Sequence, residues 1–149
     1  MITAEAVKSL REKTGASMLE CKKALEKAGG DQTKALEILS KRGAEMADKK
    51  AEREIKAGLI NAYVHFNQKI GVLFELGCET DFVARNETFK NLAHEICLHI
   101  SAMNPQSNEE LLNQPYVKNP EQTVQALINE AIGKLGENIK INRFARFEI

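Results

Sequence analysis

The first 43 residues carry their apolar side chains at helical spacing, in three short blocks separated by glycines. Each block follows a residue suited to cap a helix, namely Thr3, Ser17 and Asp31. Ser17 is also followed three positions later by glutamate, which completes a capping-box pattern. The pattern therefore predicts a three-helix bundle over residues 1–43, with the third helix ending at Gly43.

Residues 44–57 have a different composition, rich in alanine, lysine and glutamate, with both charge signs interspersed and almost no apolar stripe. Such a segment favours a solvated helix or a semi-rigid linker. We predict a charged helical linker here, and a domain boundary between the bundle and the remainder of the chain.

Residues 58–149 combine two periodicities. Apolar side chains over 58–66 and 70–78 are typical of two strands joined by a short loop, and residues 139–149 alternate like a half-buried strand. Between them lie helical patterns that begin at Asn86, at Ser107 and at Asn119-Pro120. Two strands, then helices, then one strand predict an α+β core domain over 58–149 with a small, three-stranded, mainly antiparallel sheet.

One junction in this core domain is unusual. The apolar run 70–76 stops abruptly, and Thr80 and Asp81 follow, which favour helix caps and turns over strand interiors. Phe82 and Val83 come immediately afterwards. Physical reasoning alone favours a capped helix start with Phe82 in the core, but an exposed acidic and aromatic pair would instead fit a partner's pocket.

Composition and charge narrow the class of protein. The chain has 21 basic and 21 acidic residues among 149, and this balance argues against a general nucleic-acid binder. No apolar run approaches the length of a membrane span, and the N-terminus lacks the basic and apolar regions of a signal peptide.

The chain has three widely spaced cysteines, which indicate free thiols in a reducing compartment. We expect a cytoplasmic protein, with an organellar matrix left open.

Signatures of chemistry are absent. His65, His94 and His99 lack the spacing of zinc ligands, and no glycine-rich phosphate-binding motif occurs, so we expect neither a metal nor a cofactor. Cys78 has acidic neighbours, which raise a thiol's pKa and oppose nucleophilic catalysis. The residues thus indicate a binding protein with a loop that presents residues 80–83.

Two long motifs resemble those of the translation elongation factor Ts family. Residues 10–25 read LREKTGASMLECKKAL and residues 75–85 read ELGCETDFVAR, in the family's order and separation. The ending GENI over 136–139 is also similar. The chain resembles a short form with one core subdomain, whereas longer members carry a second one.

This resemblance implies guanine-nucleotide exchange on elongation factor Tu, a function that makes and breaks no covalent bond. It implies a ubiquitin-associated-like bundle that docks on the partner's GTP-binding domain, with candidate contacts at Arg11, Met18 and Leu19. It also assigns displacement of the partner's Mg²⁺ to one segment, which comprises Thr80, Asp81, Phe82 and Val83. A single core subdomain suggests a homodimer in which the exposed edge of the sheet pairs with its twin.

Three other functions compete with exchange. An adaptor would use the helical bundle to bind ubiquitin-like domains, and would leave the second motif unexplained. A thiol enzyme would use Cys78. A purely structural dimer would bury Phe82 in its own core.

Overall fold

The computed structural model describes residues 1–149. Twelve elements follow one another: α1 (Ala4–Thr14), α2 (Met18–Lys27), α3 (Gln32–Lys50), β1 (Ala57–Val64), β2 (Ile70–Cys78), α4 (Asp81–Ala84), α5 (Glu87–Met103), α6 (Asn108–Asn113), β3 (Pro115–Tyr116), β4 (Asn119–Thr123), α7 (Val124–Leu135) and β5 (Lys140–Glu148). N-terminal helices followed by a small antiparallel sheet with packed helices confirm the predicted α+β class.

The N-terminal helices begin at the residues that the sequence indicates. The side chains of Thr3, Ser17 and Asp31 each accept a hydrogen bond from a backbone N–H in the first turn, and Ser17 and Glu20 form the predicted reciprocal capping box. A separate apolar core fills the space between α1, α2 and α3, with Leu10 and Leu25 fully buried. These three helices therefore have a small core of their own.

The predicted end of the third helix is wrong, because α3 continues through Gly43 to Lys50. Gly43 is buried against α7, where a Cβ atom would lie 3.3 Å from the carbonyl oxygen of Asn129. The glycine thus permits close approach of two helix backbones and does not end a helix. As a result the second half of α3, which has the composition of a linker, packs against the core domain.

The core sheet has the order β1-β2-β5, and both pairings are antiparallel, as predicted. Leu76 pairs with Leu59 on one side and with Ile141 on the other. One face of the sheet packs against α5, and this apolar core is centred on Phe74, Phe89 and Ile96, which are fully buried. The opposite face of the sheet is uncovered.

The helix predicted from Asn119-Pro120 begins later than expected. Residues 119–123 form β4, which pairs with β3 in a two-stranded hairpin, and α7 begins at Val124 after the N-cap residue Thr123. Proline lacks an N–H but fits the edge of a sheet, and here Pro120 lies in a short edge strand. None of the seven helices is both long and apolar enough to cross a bilayer.

Candidate functional site

The segment 80–83 forms a sharp, capped turn at the end of β2. Thr80 has an extended backbone, with φ −131°, and its Oγ1 accepts a hydrogen bond of 3.3 Å from the Val83 N–H. The single helical turn α4 follows at once, and the Arg85 N–H donates to the carbonyl oxygen of Asp81 at 3.1 Å. The predicted cap is therefore confirmed, and it reverses the chain within a few residues of the sheet.

Phe82 points into solvent, with 84% of its surface exposed. Thr80 and Asp81 are also exposed, whereas Val83 and Ala84 are buried in the apolar core. The favoured interpretation of Phe82 as a core residue is wrong, because the inward side of this helical turn is occupied by Val83 and Ala84, and Phe82 lies on its outward side. The same exposure contradicts a structural dimer that buries this ring in its own core.

Glu137, just after α7, holds the turn from the side. Its Oε1 accepts hydrogen bonds from the N–H groups of Glu79 and Thr80, at 3.1 and 3.0 Å, and its Oε2 accepts from Thr80 Oγ1 at 2.7 Å. The contact is reciprocal, since the carboxylate of Glu79 accepts from the Asn138 N–H at 2.6 Å. We call this arrangement of Glu79, Thr80, Glu137 and Asn138 the clasp.

The clasp also reaches the segment that follows α3. The guanidinium of Arg53 lies 3.6 Å from the Glu79 carboxylate, and the buried side-chain amide of Asn138 donates to the carbonyl oxygens of Ala51 and Arg53 at 3.4 and 2.9 Å. Sequence reasoning did not select Glu137 or Asn138 as site residues. The signal was present in the GENI ending, but hydrogen bonds between residues this far apart in sequence have no local pattern.

Cys78, directly before the clasp, is fully buried. Burial raises the pKa of this thiol to about 11, and the nearby Glu137 carboxylate acts in the same direction. The thiol donates to the Thr80 carbonyl oxygen at 3.2 Å. A buried, protonated thiol opposes the reading of this protein as a thiol enzyme. No group of three His, Cys, Asp or Glu side chains has an arrangement that suits a metal ion.

The second set of candidate residues lies at the corner between α1 and α2. Arg11 is exposed near the end of α1, and Met18 and Leu19 begin α2 with 52% and 60% of their surfaces exposed. The Ser17–Glu20 capping box fixes the start of this helix. Adjacent exposed apolar side chains on a capped helix end form a small, preformed contact surface.

Comparisons with known proteins identify relatives of this chain. Residues 79–149 match the family model described as Elongation factor TS. Elongation factor Ts from Thermodesulfovibrio yellowstonii is 43% identical over 192 aligned positions, covering 99% of this chain and 96% of that protein. The protein of the same name from Thermosipho melanesiensis is 42% identical over 194 positions, covering 100% and 99%.

A third relative, Elongation factor Ts from a Thermoanaerobacter species, is 44% identical over 193 positions, covering 99% of this chain and 95% of the relative. The aligned length exceeds the 149 residues of this chain, so these relatives hold additional positions within the shared region. Each of these relatives is more than 40% identical overall, and nearly the whole length of both chains is covered. The chain belongs to the elongation factor Ts family.

Proposed function

We propose that this protein acts in translation elongation as the guanine-nucleotide exchange factor of elongation factor Tu, in the cytoplasm. Membership of the elongation factor Ts family supports the role in elongation. The observation that supports the exchange step is the exposed ring of Phe82. This ring lies on a turn that Thr80 caps and that the clasp holds in place. A large aromatic side chain held out in solvent has no role in the protein's own core and is suited to enter a partner.

The chemistry of the turn fits displacement of a Mg²⁺ ion that the partner holds beside its nucleotide. Mg²⁺ requires near-ideal octahedral geometry, so a small shift of its ligands weakens binding. In this proposal Phe82 wedges into the partner close to the metal site, and the Asp81 carboxylate attracts the hydrogen-bond donors that surround it. The phosphates of GDP then lose part of their charge compensation, and the nucleotide dissociates faster.

Docking is assigned to the other surface, formed by Arg11, Met18 and Leu19. Their exposure at the α1–α2 corner supports a contact with the GTP-binding domain of the partner. Because binding is thermodynamically reciprocal, a protein that weakens GDP binding to the partner must itself bind the partner more weakly when GDP is present. No covalent bond changes in this cycle, so the protein is an exchange factor and not an enzyme.

The test of this function is the release of fluorescent GDP from elongation factor Tu, with and without this protein. Strong acceleration that Phe82→Ala abolishes would support the proposal. A folded protein that gives no acceleration with a matching partner would refute it.

We also propose a homodimer through the core sheet. The uncovered face of the sheet carries large exposed apolar side chains, among them Ile60, Leu73 and Phe147, and Phe147 is 78% exposed. The same face holds the ion pair between Glu75 and Arg143, at 3.3 Å, so these two charges are balanced within one chain and oppose a second copy with no net charge of their own. We therefore assign this face to a second molecule of this chain. That molecule would pack against the face and lie near the edge of the sheet.

We infer a docking unit over residues 1–43, a charged linker over 44–57 and a core domain over 58–149. The linker is helical only as far as Lys50, not throughout as expected, and Ala57 already lies in β1. Two separate apolar cores support this division, one within the N-terminal helices and one between the sheet and its helices. The linker is not free in solution, since Ala47 packs against the second core. The orientation of the docking unit is therefore restricted by the α3–α7 contact.

A further inference from the structure

The clasp joins the start of the turn at residues 80–83 to the end of α7 through the Glu137 carboxylate. We propose that Glu137 is a positioning residue for nucleotide exchange, which holds the turn 80–83 so that Phe82 is presented to the partner in one orientation. This inference rests on the proposed function. It assigns to a residue outside both motifs a specific contribution to the exchange rate.

The geometry supports this role, because every hydrogen bond of Glu137 goes to the residues that start the turn. The Glu79 and Thr80 N–H groups lie before the helical turn, where they have no helical acceptor, and the carboxylate supplies one. Hydrogen bonds to an ionised acceptor are stronger than those between neutral groups. Glu137 also fixes the Thr80 hydroxyl, whose Oγ1 in turn caps Val83.

The backbone around Glu137 is itself held in place. Gly136 ends α7 in the left-handed conformation, with φ 74°, and its carbonyl oxygen accepts a hydrogen bond of 2.6 Å from Lys50 Nζ on α3. Asn138 is buried and donates to the segment after α3. Glu137 thus transmits the position of the α3–α7 pair to the turn, and so sets the placement of Phe82 relative to the helices that carry the docking residues.

A rigid presentation matters for the rate of exchange more than for affinity. A flexible turn still allows the partner to bind through the docking surface, but the ring then spends less time in the orientation that enters the metal site. Interactions that organise a reactive geometry lower the barrier without changing the binding of the ground state in proportion. Loss of Glu137 is therefore expected to lower the maximal rate of GDP release while leaving the affinity for the partner nearly intact.

The experiment compares Glu137→Ala and Glu137→Gln with a control, Glu121→Ala, at an exposed glutamate in β4. Three quantities are measured on the full chain: amide hydrogen exchange over residues 75–85 in the free protein, affinity for nucleotide-free elongation factor Tu, and the maximal rate of GDP release. Glutamine keeps an oxygen for the two N–H groups and an amide for the Thr80 hydroxyl, so Glu137→Gln is expected to retain most of the rate.

For Glu137→Ala we expect amide exchange at Glu79 and Thr80 to accelerate, and the maximal release rate to fall about tenfold while affinity changes by less than about threefold. The control should match the wild type in all three. An unchanged maximal rate, or equal losses of rate and affinity, would overturn the inference. If the wild type itself failed to accelerate release, the proposed function would fall, whereas unaltered amide protection in Glu137→Ala would overturn the positioning role independently.

Discussion

Thr80 and Glu137 are 57 positions apart in the sequence, yet the Thr80 hydroxyl donates to the Glu137 carboxylate at 2.7 Å and the Thr80 N–H donates to the same group at 3.0 Å. Thr80 also caps the turn that exposes Phe82. One threonine therefore links the local geometry of the turn to the end of α7. Docking and exchange are assigned to different surfaces of this protein, so substitutions in the two surfaces should have different effects.

Substitution of the docking surface should change affinity and not the maximal rate. Leu19→Ala removes an exposed apolar side chain from the proposed contact, and truncation of one of the few residues that dominate an interface costs more than about 1 kcal/mol. We expect the affinity for nucleotide-free elongation factor Tu, measured by titration calorimetry, to fall about tenfold, which corresponds to about 1.4 kcal/mol. Val117→Ala, at an exposed apolar residue of the core domain, should have no effect. Equal losses in both variants would mean that the α1–α2 corner is not the docking surface.

The domain boundary can be tested by truncation. A chain of residues 44–149 should keep a folded core domain, seen as a cooperative thermal transition by circular dichroism, and should bind the partner more weakly. A chain of residues 31–149, which retains all of α3, serves as the control. If only the longer chain folds, the first half of α3 belongs to the core domain, and the proposed division at residue 43 is misplaced.

The proposed dimer predicts that molecular mass depends on concentration. Light scattering should show a mass near twice 16.6 kDa at high concentration, and Leu73→Glu should return the protein to a monomer, because it introduces a charge into the apolar face of the sheet. Met103→Glu adds the same charge at an exposed apolar residue on α5 and should leave the dimer intact. A wild-type protein that is monomeric at every concentration and fully active would exclude the dimer.

The burial of His99 predicts that the folded protein becomes less stable in mild acid. His99 is fully buried, its Nε2 lies 2.9 Å from Gln114 Oε1, and its Nδ1 accepts from the Val117 N–H at 3.1 Å. Burial lowers the pKa of His99 below 6.5, although the hydrogen bond to Gln114 acts in the opposite direction. The unfolded chain therefore binds a proton at a higher pH than the folded one, and the free energy of unfolding decreases as pH falls below the unfolded pKa, until pH reaches the lower folded pKa.

The limiting slope from this one group is about 1.4 kcal/mol for each pH unit. Urea unfolding at pH values from 7 to 5 measures it. His99→Gln should be less stable at pH 7 but should have a weaker dependence on pH, whereas His94→Gln, at an exposed histidine, should keep the wild-type dependence. Identical pH dependence in all three proteins would show that His99 is not the group responsible.

Features that depend on local interactions could be predicted from the sequence, whereas features that depend on tertiary contacts could not. Helix caps and strand alternation are local, and Thr3, Ser17, Asp31 and Asn86 all cap helices as predicted. Gly43 misled because a glycine that ends a helix and one that admits a second helix look alike in sequence. The two differ only in the presence of α7, whose position is a tertiary property.

The candidate turn at residues 80–83 shows the same division. The cap at Thr80 could be predicted, but the exposure of Phe82 could not, because it depends on which residue of a single helical turn faces the core. The clasp could not be predicted from the sequence either, since its hydrogen bonds join the end of β2 to the end of α7. For this protein the motifs selected the candidate turn, and the tertiary contacts show how that turn is held.

The most direct measurement is the rate of fluorescent-GDP release from elongation factor Tu at increasing concentrations of wild-type protein and of Phe82→Ala. The concentration series separates the affinity for the partner from the maximal rate. We predict strong acceleration by the wild type, and a Phe82→Ala variant whose maximal rate falls by a much larger factor than its affinity. Equal losses of rate and affinity would mean that the Phe82 ring contributes only to binding. No acceleration by the folded wild-type protein would contradict the proposed function itself.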